Sequence, residues 1–226
     1  MTLPQNRGAP GAEASHQYSN PGGRLTPEIH QLDRRAAVWQ LYDPTVKAEL
    51  SSAAIVTDDG TYLVDPVFLP SGATENLVPE RPTGIIVTNE NHARATVALS
   101  EKLDLPVYAH KDAQPGLQGL SVTPVAEGKG AIPGLEVIEL NGGARGEIAL
   151  FDPVAGGTLL VGDALINFGS NGFALLPAKY CENQKRLRKS LHKLLQLEFH
   201  RMLFAHGTPI LTNARTRLAQ LLDAGN

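Results

Sequence analysis

Three short polar segments carry most of the side chains able to do chemistry in this 226-residue chain. They are Thr88-Asn89-Glu90-Asn91-His92-Ala93-Arg94, Gly162-Asp163-Ala164 and Ala205-His206-Gly207. Each follows an apolar run of strand type: Gly84-Ile85-Ile86-Val87, Thr158-Leu159-Leu160-Val161 and Arg201-Met202-Leu203-Phe204. Polar groups at the C-terminal ends of strands are where sheet proteins commonly bind ligands and do chemistry. Imidazoles, a carboxylate, carboxamides and a guanidinium suit metal ligation, proton transfer or a polar ligand pocket. Taken singly, each has a plain structural role: Asn89 and Asn91 cap a helix, Asp163 makes a turn, and His206 is a core histidine. It is the three together that point to a site, with Asn89, Asn91, His92, Arg94, Asp163 and His206 as its candidates. His110, at another strand end, is a more remote one.

Two further features carry reactive or charged groups. Cys181 lies beside Lys179, and cationic neighbours lower a thiol pKa, but no base can be assigned to it from sequence. Lys185, Arg186, Arg188, Lys189 and Lys193 interleave with Leu187, Leu191, Leu194 and Leu195, the pattern of a helix with one face packed and one solvated. An anionic ligand or partner is the alternative use of those charges. Gly142-Gly143 with Gly146 precedes a strand rather than a helix, so it is no phosphate loop, and no Gly-x-Ser-x-Gly elbow is present.

The elements that must hold these loops follow from periodicity. Strands are expected at 37–42, 52–57, 61–64, 84–88, 105–110, 121–125, 135–140, 147–151, 158–161 and 201–205. Helices are expected at 93–103, 183–199 and 213–222, the last capped by Asn213, with a long irregular loop over 163–182. Residues 1–35, rich in Gly and Pro, read as an arm, and residues 36–226 as the folded domain. The arm is expected to lie against another surface, such as a second copy in a homodimer.

Composition narrows the class. Hydrophobic residues make up 42% and charged residues 19%, which excludes global disorder. A net charge of -3 argues against a nucleic-acid partner, and the single cysteine excludes an internal disulfide and a Cys-rich zinc site. No segment has the ~18 apolar residues of a membrane span, and Met1 to Gly8 lacks the apolar core of a secretory signal, so the expectation is a cytoplasmic protein without membrane contact.

The order of five segments resembles the metallo-β-lactamase superfamily of hydrolases. Leu63-Val64-Asp65-Pro66, the Ile85–Arg94 stretch, Asn141–Ile148, Leu160-Val161-Gly162-Asp163 and Phe204-Ala205-His206-Gly207 stand where that family has its successive motifs. The resemblance implies an α/β fold, a four-layer αββα sandwich of two mixed β-sheets. It also places Asp65 around the site rather than in it, and implies a metal site at Asn89, Asn91, Ala93, Arg94, Gly143, Asp163 and His206. Of these, only Asp163 and His206 match the family's ligands. A catalytic zinc takes three protein ligands and a water, so no cofactor is expected. The leading expectation is a degenerate member, a pseudo-hydrolase or small-ligand binding protein with the zinc site lost. In that reading Arg94 supplies the cation that Asp163 would otherwise lack. One alternative is a hydrolase of the same superfamily, metal-dependent or unconventional, using His92, Asp163 and His206, with zinc as its cofactor. His92 is one position off the ligand register. The other alternative is a structural or interaction protein with a vestigial pocket.

Overall fold

The computed structural model describes residues 27–44, 47–70, 73, 77, 81–168 and 172–224. Most of the arm, residues 1–26, falls outside these, and with it the expected contact with a second surface. Strands β1 (Glu28–Gln31), β2 (Ala36–Asp43), β3 (Ala48–Val56), β4 (Thr61–Val64), β5 (Gly84–Val87), β6 (Val107–His110) and β7 (Val122–Val125) form one sheet in chain order. Its first four strands are antiparallel, and β4 to β7 pair in parallel. A second sheet has the order β14-β11-β10-β9-β8, from β8 (Gly128–Ile132), β9 (Leu135–Glu139), β10 (Ile148–Asp152), β11 (Thr158–Val161) and β14 (Arg201–Phe204). There β11 and β14 alone are parallel. A hairpin of β12 (Leu165–Asn167) and β13 (Phe173–Leu175) stands apart.

Period-two alternation explains the layering. Ile148, Leu150, Leu160 and Leu203 face Val38, Ile55, Val64 and Ile86 across the gap between the sheets. Their neighbours Ala149, Phe151, Leu159, Val161, Met202 and Phe204 face outward and meet α2 (Gln184–Leu191) and α3 (Ala214–Asp223). On the outer side of the first sheet, Trp39, Leu63, Ile85 and Val107 pack with Leu99 of α1 (Thr96–Leu103) and with Leu117. Four layers result, helix–sheet–sheet–helix, as the resemblance implies.

Several elements differ from the sequence reading. Residues 28–31, read as arm, form the edge strand β1, whose four residues are all exposed and so carry no apolar alternation. β8 was not expected, because Gly128 and Gly130 adopt positive φ and the pairing with β9 is irregular. The 163–182 loop contains the β12–β13 hairpin. The helix expected over 183–199 is α-helical only to Leu191 and tightens into a 3-10 turn, His192–Gln196. Leu187, Leu191 and Leu194 are core, as expected, and Leu195 packs against them partly buried. Two cations of this segment serve the fold: Arg188 donates to the Leu222 carbonyl at 2.7 Å and Lys193 pairs with Glu127 at 2.9 Å.

At one end of the sandwich a polar clasp joins the sheets. Arg201, heading β14, donates to Thr158 Oγ1 at 3.0 Å and to Asp33 Oδ2 at 2.6 Å, and Arg35 lies 3.6 Å from buried Asp152. The polar loops leave the opposite end, where parallel β4 and β5 of one sheet and parallel β11 and β14 of the other all terminate.

Candidate functional site

Asp65 ends β4 and Thr88 ends β5, and the parallel pairing of these strands sets them side by side. Asp65 Oδ1 accepts the Thr88 amide at 2.8 Å, and Oδ2 accepts the Thr88 hydroxyl at 2.6 Å. Asp65 and Arg94 both have left-handed backbone, φ 47 and 41, a conformation uncommon outside glycine and concentrated at functional turns. The loop between them turns the His92 ring inward, where it is 3% exposed.

His92 Nδ1 lies 2.9 Å from Asp65 Oδ2. The Thr88 hydroxyl proton is already committed to that carboxylate, so Nδ1 carries a hydrogen and donates it to Asp65. Nε2 then points at Asp163 Oδ1, 3.1 Å away. Asp163 follows β11. His206, following β14, approaches the same oxygen from the second sheet's parallel neighbour: its Nε2 is 3.1 Å from Asp163 Oδ1, and its Nδ1 faces the Glu49 carbonyl at 3.3 Å. Both imidazoles thus direct Nδ1–H at a fixed oxygen and turn Nε2 on one carboxylate oxygen. These three ligand atoms lie within 4.8 Å of one another.

Glu147, at the head of β10, is the residue the sequence reading did not single out. It is 3% exposed. Oε1 accepts the Ala164 amide at 3.1 Å and Oε2 accepts Asn89 Nδ2 at 2.9 Å. The same Nδ2 is 3.3 Å from Asp163 Oδ2. The only sequence signal was an acidic residue opening the otherwise apolar run Ile148-Ala149-Leu150-Phe151. Gly162 makes this packing possible: a Cβ there would come within 2.4 Å of Thr88 Oγ1 and 2.7 Å of Glu147 Oε1.

The electrostatics follow from burial and opposing charge. Burial pushes the Asp65 carboxyl up, but His92 beside it outweighs this and holds it below the usual carboxylate value. Burial likewise raises Asp163, and His92 and His206 hold it well below. Burial and Arg94 pull His92 down, yet the carboxylates of Asp163 and Asp65 carry it up to about 9. Glu147 is raised to about 8 by burial and then by the charge of Asp163.

Of the candidates named from sequence, Asn89, His92, Asp163 and His206 come together. Asn91 is exposed and contributes its backbone amide to Asn89 Oδ1 at 2.9 Å. Arg94 does not serve as the cation on Asp163, whose donors are His92, His206 and Asn89. Its guanidinium donates instead to the carbonyls of Ser51 (2.7 Å), Asp65 (3.0 Å) and Ala205 (3.1 Å), tying strand ends of both sheets beneath the site. Left-handed φ at Arg94 accompanies this orientation, in which the guanidinium adds a donor to carbonyls of which those of Asp65 and Ala205 also accept from Ser52 and Ser51. His110 is bound to Glu139 and caps a turn at Asp112. The Cys181 thiol, expected to be lowered by cationic neighbours, is raised, by burial first and then by Glu147 and Asp163; the Lys179 ammonium sits over the Tyr180 ring.

An αββα sandwich with a polar cluster where parallel strands of both sheets end defines a recognisable class of α/β proteins. The chain belongs to the metallo-beta-lactamase superfamily, whose family profile matches residues 29–224. None of the curated proteins compared with the chain matches it. Among solved structures, the FIM-1 metallo-beta-lactamase of Pseudomonas aeruginosa in its mono-zinc form is similar at TM-score 0.69, with 15% identity over 89% of this chain and 96% of that one. The metallo-beta-lactamase of Pontibacter korlensis gives 0.68, 14%, 88% and 99%. That of Erythrobacter litoralis with beta mercaptoethanol in its active site gives 0.66, 14%, 88% and 96%. At these identities the likeness establishes the fold.

The superfamily implies a metal, and the donor set bears on whether one fits. With each Nδ1–H given to its own oxygen, Nε2 of His92 and Nε2 of His206 face Asp163 Oδ1 at 3.1 Å, contacts that either a proton on each nitrogen or one cation in place of those protons satisfies. Tetrahedral coordination with ordinary zinc–ligand bonds has ligand–ligand edges of about 3.3 Å. The two Nε2–Oδ1 separations therefore suit a single cation shared by these three residues. A second, at the remaining family positions Asn89, Asn91, Ala93, Arg94 and Gly143, does not fit, because none of those residues is a usual metal ligand.

Proposed function

We propose that this protein is a hydrolase of the metallo-beta-lactamase superfamily that works with one divalent cation, held by His92, Asp163 and His206. The observation that carries the reading is the convergence of two Nε2 atoms on Asp163 Oδ1, with each Nδ1 turned on another oxygen. When bound, such a cation polarises an electrophile and lowers the pKa of water towards about 7. The chain supplies the rest. Asp65 and Thr88 fix the His92 ring, Asn89 fixes Asp163, and Arg94 locks the strand ends below them. His206 is the more exposed of the two histidines.

One observation favours a second reading, a metal-free ligand-binding protein. His92 is enclosed between two carboxylates, and as an imidazolium it would satisfy both. In that case a proton stands where the metal would. The two readings are separated by elemental analysis of protein purified without added metal, followed by zinc titration of chelator-treated protein. About one equivalent of bound zinc, a raised melting temperature, and loss of both in His206→Ala are expected. No bound metal and no thermal shift with zinc, manganese or iron(II) would leave the metal-free reading standing.

A further inference from the structure

Glu147 and Asn89 are buried polar residues that the three-ligand cluster does not use. The Asn89 carboxamide has a single consistent orientation. Oδ1 accepts the Asn91 amide at 2.9 Å, so Nδ2 must be the end facing the carboxylates of Glu147 and Asp163. Glu147 is itself pinned at its other oxygen by the Ala164 amide, one residue beyond Asp163. The two oxygens of Asp163 are therefore divided: Oδ2 lies on Asn89, and Oδ1 lies between the two imidazoles.

We propose that Asn89 and Glu147 are positioning residues that hold Asp163 as a one-oxygen ligand and so restrict the centre to a single cation of the zinc, cobalt(II) or iron(II) class. The inference rests on the one-cation reading and deepens it. A carboxylate without the clip can rotate to offer both oxygens. With Oδ2 occupied by an amide, the set presented is two imidazole nitrogens and one oxygen. That set suits borderline metals and falls short of the six to eight oxygens calcium takes, or the octahedral oxygen shell of magnesium. The Asn89 amide also fills the space beside Asp163 Oδ2 with donor hydrogens, which repel a second cation. Glu147 acts through Asn89, by accepting the amide proton that keeps Nδ2 in place.

The test uses the full chain, with cobalt(II) and zinc as probes. Stoichiometry and affinity are measured by calorimetric titration, and the visible cobalt spectrum reports the ligand arrangement. The variants are Asn89→Ala, Asn89→Ser, Glu147→Ala and Glu147→Gln. Serine retains an oxygen for the Asn91 amide but does not bridge the carboxylates, so it separates clip from loop should the alanine variant fail to fold. The wild type is expected to bind one ion per chain. Asn89→Ser and Glu147→Ala should weaken it about 10–100-fold, the usual cost of losing an outer hydrogen bond to a ligand, and should alter the spectrum. Glu147→Gln, with one oxygen for two donors, the Asn89 carboxamide and the Ala164 amide, should fall between Glu147→Ala and the wild type. Unchanged affinity and spectrum in folded Asn89→Ser and Glu147→Ala, or two ions per wild-type chain, would overturn the proposal. A wild type that binds neither ion would instead defeat the one-cation reading.

Discussion

At the scale of single residues, the decisive group is Asp65, because it sets which nitrogen of His92 carries the proton. Asp65 accepts twice at Oδ2, from Thr88 and from His92 Nδ1. Asp65→Asn keeps the size and removes that choice. Its amide donates to Nδ1, the hydrogen moves to Nε2, and the ring turns a donor towards the place of the cation. Zinc affinity is expected to fall by at least about tenfold, with the His92 nitrogen resonances reporting the exchanged tautomer. Affinity and resonances like those of the wild type would show that Asp65 only braces the loop. Arg94 illustrates the opposite lesson. Its type suggested an ion pair with Asp163, but its guanidinium donates to three carbonyls instead, and no sequence pattern announces a left-handed arginine.

At the scale of elements, periodicity was a good guide wherever one face of a strand or helix is dry. β4 and β11 fall at the expected residues, and Leu187, Leu191 and Leu194 are core. It failed where glycine or exposure breaks the alternation, at β1, at β8 and in the β12–β13 hairpin. The site was legible in part. Asp163 and His206 stand in register with the family's motifs, whereas His92 reaches the cluster through a loop path that spacing alone does not encode, and Glu147 gave no signal beyond its charge. Capping was misread. Asn213 was expected to cap α3, yet it has φ 56 and its side chain makes no cap, while Asn183 accepts from the Arg186 amide and does cap α2. Alanine at the two positions should therefore cost similar amounts for different reasons. Asn183→Ala loses a cap, about 1 kcal/mol. Asn213→Ala loses the short polar side chain that eases left-handed backbone, at most about 1–2 kcal/mol. Asn213→Gly should be neutral or stabilising, since glycine takes that conformation freely. Urea denaturation reads all three, and a destabilised Asn213→Gly would mean that the Asn213 side chain makes a contact the fold needs.

At the scale of the whole molecule, the ends of the sandwich divide the work. One end is clasped by Arg201, Asp33, Arg35 and Asp152. The other gathers Asp65, His92, Glu147, Asp163 and His206 above the Arg94 tie, and it dominates the dependence of stability on pH. His92 faces Asp65, Asp163 and Arg94, and it is raised from 6.5 to about 9. Its contribution is complete below about pH 6.5 and is lost as pH rises through about 9. Glu147 faces Asp163, His92 and Asp65, and it is raised from 4.5 to about 8. Folding therefore opposes its ionisation, and stability falls over that interval too. Asp65 and Asp163 are lowered, so their contributions hold above the ordinary carboxylate range and are lost only in acid. The chelator-treated protein should then be most stable near about pH 4.5, decline above it as Glu147 resists ionisation, and fall more steeply from about pH 6.5 towards pH 9 as His92 adds its loss. A bound cation reverses the upper limb. Binding at Nε2 requires that the His92 proton leave, so metal affinity rises as that proton becomes easier to remove, and binding stabilises only the folded chain. Melting temperatures from pH 5 to 9, measured with chelator and with excess zinc, should diverge above about pH 6.5, falling in the first series and holding or rising in the second. His92→Gln should abolish the zinc series' advantage and leave the shallower decline that Glu147 causes. Parallel curves with and without zinc would remove the cation from the site, and a chelator series that stays flat to pH 9 would remove the imidazolium.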